Sequence, residues 1–140
     1  MVKGVVLSPS RERNVRMSIE RFEDIEAWQL GRRLTRSVYE LSRDGDFSRD
    51  FGLKDQIRRA SGSSKHNIAE GFDSGSNREF IRFLNYAKRS CTEVQSELYV
   101  ALDQSYVTSV QFDEIYEQAR LTREKIGAFV NYLDKNTPRR

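Results

Sequence analysis

The most constraining feature of the sequence is the spacing of apolar residues in its C-terminal half. They recur at alternating steps of three and four, which places them on one face of an α-helix. The two series are Phe80, Leu84, Ala87, Cys91, Val94, Leu98, Ala101 and Ser105, and then Phe112, Ile115, Ala119, Thr122, Ile126, Phe129 and Leu133. Both prolines, Pro9 and Pro138, lie near the ends, so neither interrupts a helix between them. The pattern predicts two long helices that pack against others.

Two further helices are predicted upstream, over about Asp24–Arg43 and Phe51–Glu70. Their core stripes are Ala27, Leu30, Leu34, Val38 and Leu41, and then Leu53, Ile57, Ala60, Ser64 and Ile68. Short connections make consecutive helices antiparallel neighbours. The fold class is therefore all-α, an up-down-up-down antiparallel four-helix bundle. The two long series (80–105 and 112–133) repeat with the heptad spacing of coiled coils, and such helices can also pack between subunits. We call each series a seam, and we expect a symmetric homo-oligomer.

The helix ends carry recognisable signals. Asp50 is a candidate N-cap, and the segments Ser76–Glu79 and Thr108–Gln111 have the form of capping boxes. Gly71 stands where a left-handed residue is expected after the second helix.

The chain divides into a flexible arm (1–21), a bundle domain (22–135) and a disordered tail (136–140). Its 140 residues suffice for one domain. The lone Cys91 excludes an internal disulfide and suits a core position. No stretch has the length of a membrane span or the form of a signal peptide, so we expect a cytoplasmic protein without membrane partners.

Charge is distributed unevenly. The net charge is +3, but residues 26–92 carry 13 Lys/Arg against 9 Asp/Glu, whereas residues 93–137 carry 4 against 8. Eighteen of the 24 basic residues are arginine, the type that holds phosphate through two hydrogen bonds. One interpretation is solvated helix faces with internal ion pairs, and the other is contact with a polyanion.

The first predicted helix carries a second stripe opposite its core stripe. Its members are Ile25, Trp28, Arg32, Arg36, Tyr39 and Arg43. A helix with two such stripes is typical of burial on both sides, which favours a subunit interface through Ile25, Trp28 and Tyr39. The alternatives are a nucleic-acid platform and simple exposure to solvent.

A second arginine row lies on the third helix, at Arg78, Arg82 and Arg89, and Arg58 and Arg59 add charge from the second helix. The spacing of the row suits successive backbone phosphates. The alternative is that Glu79, Glu93 and Glu97, or acidic residues of the fourth helix, neutralise it.

No pattern indicates catalysis. His66 and Glu70 are one helical turn apart, but no nucleophile or oxyanion donor accompanies them. No metal-ligand spacing or phosphate-binding glycine loop is present in the sequence. We therefore expect a protein that is not an enzyme, with no catalytic residue, metal, cofactor or small-molecule substrate.

Four segments resemble a known family. They are FEDIEAWQLGRRLTRSVYEL (22–41), FGLKDQIRRA (51–60), NIAEGF (67–72) and REFIRFLNYAKRSCTEVQSEL (78–98). They are similar to the four-helix bundle proteins encoded by intervening sequences of bacterial 23S rRNA genes, a family related to the accessory protein of diversity-generating retroelements. The similarity spans about residues 22–133. It implies a homopentamer of up-down bundles with a basic surface suited to nucleic acid.

The resemblance extends to single positions. Arg58 and Arg59 match the family's paired arginines, and Asn67, Glu70 and Gly71 match its NIAEG block, implied to be a structural corner. Lys65 replaces a proline that is usual in the family, which predicts a straighter second helix.

The leading hypothesis is an oligomeric bundle that binds structured RNA, or RNA and DNA, and is associated with the ribosome or rRNA. Its candidate phosphate contacts are Arg32, Arg36, Arg58, Arg59, Arg78, Arg82 and Arg89. The alternative is a protein-interaction scaffold, similar to the retroelement accessory protein, whose affinity for nucleic acid is incidental.

Overall fold

A computed structural model describes residues 19–138, and all regular structure in this range is helical. Its four α-helices are α1 (Glu26–Leu41), α2 (Phe51–Phe72), α3 (Asn77–Asp103) and α4 (Ser109–Lys135). Two short 3₁₀ turns, Phe22–Asp24 and Phe47–Arg49, precede α1 and α2. The predicted all-helical class and the four helices are confirmed. Most of the predicted arm (residues 1–18) and the end of the predicted tail (139–140) lie outside the described residues.

The four helices pack in a ring, and their buried side chains form the core inside it. Each packs mainly on two others: α2 on α1 and α3, and α4 on α3 and α1. Buried side chains form two clusters along the bundle. One includes Ile68, Phe80, Leu84, Ile126 and Leu133, and the other includes Leu34, Val38, Ile57, Leu98 and Ile115.

The predicted seams account for most of this core. The α3 series is buried from Phe80 to Ala101, whereas Ser105 lies beyond the helix end, exposed and with a φ of 60°. In α4 every predicted residue is buried except Phe129, which is half-buried. Cys91 is fully buried in the seam, as its apolar spacing predicts.

The starts of α2 and α4 follow the predicted capping signals, whereas only the Ser76 half of the capping box predicted for α3 is formed. Asp50 Oδ1 accepts a hydrogen bond from Leu53 N at 3.1 Å. At the start of α4, Thr108 Oγ1 accepts from Gln111 N, and Gln111 Oε1 accepts in return from Thr108 N at 2.9 Å. At the start of α3, Ser76 Oγ accepts from Glu79 N at 3.2 Å, while the Glu79 carboxylate accepts hydrogen bonds from Arg82.

The prediction that Gly71 is a left-handed residue beyond α2 is wrong. The helix continues to Phe72, and Gly71 is buried within it. A Cβ at this position would lie 2.8 Å from Phe80 Cδ1 and 2.8 Å from Phe83 Cβ. The left-handed residue of the turn is Gly75, with a φ of +92°. Gly71 is therefore needed for the close approach of α2 and α3, and α2 runs uninterrupted through Lys65.

Part of the predicted tail is held by hydrogen bonds. Thr137 Oγ1 donates to Leu133 O at 2.6 Å, and Asn77 Nδ2 donates to Thr137 Oγ1 at 3.2 Å. These bonds connect the residues after α4 to the start of α3.

Candidate nucleic-acid interface

Three arginines of α1 form an exposed row without acidic partners. Arg32, Arg33 and Arg36 all lie at the surface. Within the described part of the chain, none of them forms an ion pair with a carboxylate. Because a guanidinium carries a permanent charge, these three side chains present uncompensated positive charge to solvent. Arg33 was not among the residues selected from the sequence.

Lys65 of α2 extends this row onto a second helix. Burial lowers the pKa of the Lys65 ammonium, and the nearby charge of Arg32 lowers it further. Its Nζ lies 6.0 Å from the centre of the Trp28 ring, within the range of a cation–π contact. We call Arg32, Arg33, Arg36 and Lys65 the α1 basic face. These four residues place several positive charges on one part of the surface, although the net charge of the chain is only +3.

A glycine explains why Lys65 reaches α1. A Cβ on Gly31 would lie 3.0 Å from Lys65 Cβ and 3.2 Å from Ser64 Oγ, so a side chain here would push the helices apart. Thr35 Oγ1 donates to Ser61 O at 3.0 Å along the same contact. The small residues of both helices therefore permit the close packing that brings Lys65 beside Arg32. The small residues Gly31 and the SGSS segment (61–64) are visible in the sequence and indicate close helix packing. They do not indicate which two helices pack together.

An aromatic groove runs beside the α1 basic face. It has a volume of about 740 Å³ and is lined by Phe22, Trp28 and Gln29 as well as the three arginines. Trp28 is half-buried and packs edge-on against Phe22, with 5.2 Å between ring centres. The one carboxylate that lines the groove, Glu23, accepts from Arg21 at 2.8 Å. An aromatic surface next to unpaired arginines is an arrangement that suits unstacked bases and phosphates.

The structure gives Arg58 a different role. Its Nε donates to Ser42 Oγ at 2.8 Å, and its guanidinium lies 4.3 Å from the centre of the Tyr39 ring. Arg59 pairs with Asp55 of the same helix at 3.1 Å. Arg58 therefore connects α2 to the end of α1, and Arg59 is partly neutralised by its own helix. Neither belongs to the α1 basic face.

The predicted α3 row is less uniform than its spacing suggests. Arg82 donates to Glu79 at 2.9 Å and to Tyr86 Oη at 3.2 Å, and these hydrogen bonds raise its pKa. Arg89 lies 5.7 Å from the Tyr86 ring, and Arg78 is exposed. Neither Arg78 nor Arg89 has an ion-pair partner among the described residues. The predicted neutralisation thus occurs at Arg82 only.

The three predicted interface residues differ in their surroundings. Ile25 is only 3% exposed and lies in the core of its own chain, so it has almost no surface left for a second subunit. Trp28 is half-buried in the aromatic groove. Tyr39 is 42% exposed, with Arg58 against its ring. Only Trp28 and Tyr39 retain surface with which to contact another molecule.

The residues considered for chemistry are placed as follows. Burial and the charge of Lys65 lower the pKa of His66, while Glu70 opposes this shift. Burial raises the pKa of the Cys91 thiol to about 12. Among residues 19–138, no group of three or more His, Cys, Asp or Glu side chains is arranged to hold a metal ion. Over the same residues, no helix combines the length and apolar character needed to cross a membrane.

Comparison with known proteins agrees with the resemblance seen in the sequence. A family model described as 23S rRNA-intervening sequence protein matches residues 23–128, more than half of the chain. A search of curated proteins found no match. The matched range contains the α1 basic face and all but the end of α4.

Proposed function

The chain belongs to the 23S rRNA-intervening sequence protein family, and from this premise we propose that it binds structured RNA through the α1 basic face. The observation that carries the proposal is the row of Arg32, Arg33 and Arg36, which have no acidic partner among the described residues. The proposal assigns no catalytic activity to the chain. If the protein binds RNA as proposed, the cytoplasm is the location that we propose for it.

The free energy that an arginine gains from a phosphate depends on the counterion that it must give up. An arginine paired within the protein gains little from a phosphate, because it must first give up its own carboxylate. An unpaired arginine releases only mobile counterions when it meets a phosphate, which makes the contact favourable and salt-dependent. Trp28 beside the row offers a ring on which an unpaired base can stack. On α3, Arg89 lies next to Tyr86, and Arg78 is a further exposed arginine of the same helix.

We also infer the finer architecture that the sequence predicts. Contacts between the first two helices join Arg58 to Ser42, Thr35 to Ser61 and Lys65 to Trp28. Positions that rise along α2 therefore meet positions that fall along α1, which supports the up-down-up-down order. We further propose a symmetric homo-oligomer, a pentamer by family resemblance, with Trp28 and Tyr39 at or near the subunit contact. Repetition of a modest basic face around a ring raises avidity for a polyanion.

The proposal is tested by the salt dependence of RNA binding. A hairpin RNA derived from 23S rRNA is titrated with the parent protein at several salt concentrations. The variant R32A/R33A/R36A is expected to lower the slope of log affinity against log salt by about two, since each lost phosphate contact removes roughly 0.7 to 0.9.

A matched control removes the same number of charges from paired positions. Arg49, Arg59 and Arg120 each form an ion pair with a carboxylate of the same helix or turn. The variant R49A/R59A/R120A should leave the salt slope within about half a unit of the parent. Equal losses in the two variants would mean that net charge, rather than the α1 basic face, governs binding. The absence of RNA binding by the parent would reject the proposal.

The alternative of a protein-interaction scaffold is supported by a separate surface. Tyr99, Val100 and Val110 are 51%, 46% and 64% exposed. Tyr99 packs with Phe112 and Tyr116, with ring centres 4.9 Å and 6.0 Å apart. All three residues lie near the connection between α3 and α4, and exposed apolar residues at one end of a fold are candidates for protein contacts. Native mass spectrometry of protein purified from its host separates the candidates, because it reports stoichiometry and the chemical class of any copurified partner.

A further inference from the structure

The positive net charge of the chain comes from its two ends. Residues 19–138 carry 18 Lys/Arg against 20 Asp/Glu, so the part of the chain that the structure describes has a net charge of −2. Residues 1–18, which we call the N-terminal segment, carry four basic residues against the single acidic Glu12. The four are Lys3, Arg11, Arg13 and Arg16. The bundle therefore attracts a polyanion only through local features such as the α1 basic face, and a further group of cations precedes it in the chain.

The N-terminal segment joins the bundle at the start of α1. Ile19, the first described residue, packs against the core cluster that contains Ile25 and Leu133. Ile19 also lines a groove of about 390 Å³ together with Ala27 of α1 and Phe129 of α4. Because residue 18 is bonded to Ile19, these contacts fix the point at which the segment meets the bundle.

Hydrogen bonds hold the turn that leads from Ile19 to α1. Asp24 Oδ2 accepts hydrogen bonds from Glu20 N at 3.2 Å and from Arg21 N at 3.3 Å. Arg21 and Phe22 line the aromatic groove, which the arginines of the α1 basic face also line. The N-terminal segment is therefore attached next to the surface that we propose for RNA.

The α1 basic face is within reach of the segment. At a rise of about 1.5 Å per residue, Arg36 lies about 15 Å along α1 from Glu26. An extended chain spans about 3.3 Å per residue, so Arg16 can lie up to about 10 Å from Ile19, and Arg11 up to about 26 Å. Arginines of the segment and of the face can therefore contact the same RNA molecule.

We propose that the N-terminal segment binds the RNA that the α1 basic face holds, with Arg11, Arg13 and Arg16 on backbone phosphates. This inference rests on the proposed RNA binding and adds a second contact surface to it. The one carboxylate of the segment can neutralise only one of its four cations, so the others release mobile counterions when they meet phosphates. Such contacts involve no base edges, so the segment raises the affinity for RNA without adding sequence preference.

The test compares salt titrations of full-length proteins with the hairpin RNA described above. The variant R11A/R13A/R16A should lower the slope of log affinity against log salt by about two, since each lost phosphate contact removes roughly 0.7 to 0.9. The variant R49A/R59A/R120A loses the same number of charges from paired positions and should stay within about half a unit of the parent. Circular dichroism verifies that each variant keeps the helix content of the parent.

The outcomes separate this inference from the function on which it rests. If R32A/R33A/R36A lowers the salt slope and R11A/R13A/R16A does not, the segment contact is overturned while RNA binding through the α1 basic face remains. Equal losses in R11A/R13A/R16A and R49A/R59A/R120A would also overturn it, because net charge alone would then explain the slope. The absence of salt-dependent RNA binding by the parent would overturn both proposals.

A second measurement uses only the parent protein and so does not depend on a variant. Trypsin cleaves after arginine, and mass spectrometry identifies the products of cleavage after Arg11, Arg13 and Arg16. Saturating RNA is expected to slow cleavage at these three positions, because a guanidinium held by a phosphate is not available to the protease. A short arginine peptide in the same samples reports any effect of RNA on trypsin itself. Unchanged cleavage after the three arginines in the presence of bound RNA would contradict the segment contact.

Discussion

Arg58 Nε donates a hydrogen bond to Ser42 Oγ at 2.8 Å, which connects the middle of α2 to the residue after α1. Ser42 is fully buried and its hydroxyl in turn donates to Val38 O at 2.7 Å. The guanidinium also covers the Tyr39 ring. An arginine that the spacing of the sequence offered as a phosphate contact thus stabilises the end of a helix.

Replacement of Arg58 is expected to destabilise the fold. Arg58→Ala removes a hydrogen bond to a buried hydroxyl and a cation–π contact, so we expect a loss of about 1–2 kcal/mol in the free energy of unfolding. Urea denaturation followed by circular dichroism measures this change. Arg59→Ala, on the exposed side of the same helix, should stay within about 0.5 kcal/mol of the parent. Equal stability of the two variants would contradict the structural role of Arg58.

Addition of a single methyl group at Gly71 is expected to destabilise the fold. Gly71→Ala places a Cβ at 2.8 Å from atoms of Phe80 and Phe83, and overpacking of this kind costs about 1–3 kcal/mol. Gly127→Ala is the matched control, because the nearest atoms to its Cβ belong to the flexible end of Lys88 at 3.9 Å. There the better helix propensity of alanine should leave stability unchanged or raise it by up to about 1 kcal/mol. Thermal unfolding of both variants measures the contrast, and a stable Gly71→Ala would refute the close approach.

The α3 row is expected to contribute less to RNA binding than the α1 basic face. In R78A/R82A/R89A, Arg82 is already paired with Glu79, so at most two unpaired cations are lost. The salt slope should therefore fall by no more than about 1.4 to 1.8, which is 0.7 to 0.9 for each of the two cations, and the mass of the oligomer should not change. Salt titrations and light scattering on the same samples provide the measurement. A loss of about two or more would move the principal RNA surface to α3.

Trp28 is expected to affect assembly. Its ring is half-buried against Phe22 and retains exposed surface beside Arg32. If this surface contacts a second subunit, Trp28→Ala will lower the oligomeric mass seen in light scattering. Phe51→Ala removes a 71% exposed aromatic ring on α2 and should leave the mass unchanged. A folded Trp28→Ala with the parent's mass would show that Trp28 is not needed for the subunit contact.

The raised pKa of Glu97 leads us to expect that the stability of the fold depends on pH. Burial and the neighbouring charge of Glu93 raise the pKa of the Glu97 carboxyl to about 7, and its Oε1 accepts no hydrogen bond from the described residues. The folded state therefore keeps a proton that the unfolded state has already released. Stability should fall as pH rises from about 4.3, the ordinary pKa of glutamate, to about 7.

Glu97→Gln tests this dependence because the amide carries no charge. We expect a gain of about 1 kcal/mol over the parent at pH 8, or about 3–5 °C in Tm, after allowance for solvent screening of a half-buried group. At pH 4 the gain should vanish. Glu114→Gln removes an exposed carboxylate and serves as the control. A gain that is equal at both pH values would show that Glu97 does not titrate in this range.

The helices, their core faces and most of their starts were predictable from the sequence. Each depends on residues within a few positions of one another: Phe112 and Ile115 share a helix face because of the helical period, and Thr108 caps α4 because Gln111 follows three residues later. These relations depend only on residues that are close in the sequence, so they can be read without knowledge of how the helices pack. The family resemblance likewise followed from contiguous segments, and the family match confirms it.

The roles of single arginines and glycines were decided only by the tertiary structure. By spacing along a helix, Arg58 and Arg32 are equally good candidates for phosphate contacts. In the structure, Arg58 contacts Ser42, the residue after α1, whereas Arg32 is exposed and lies near Lys65 of α2. In the sequence, Gly71 stands where a helix is expected to end. In the structure it lies within α2, where the lack of a Cβ leaves room for the Phe80 and Phe83 side chains of α3. Charge compensation and close approach depend on neighbours from other helices, and these are set by packing rather than by the period of any one helix.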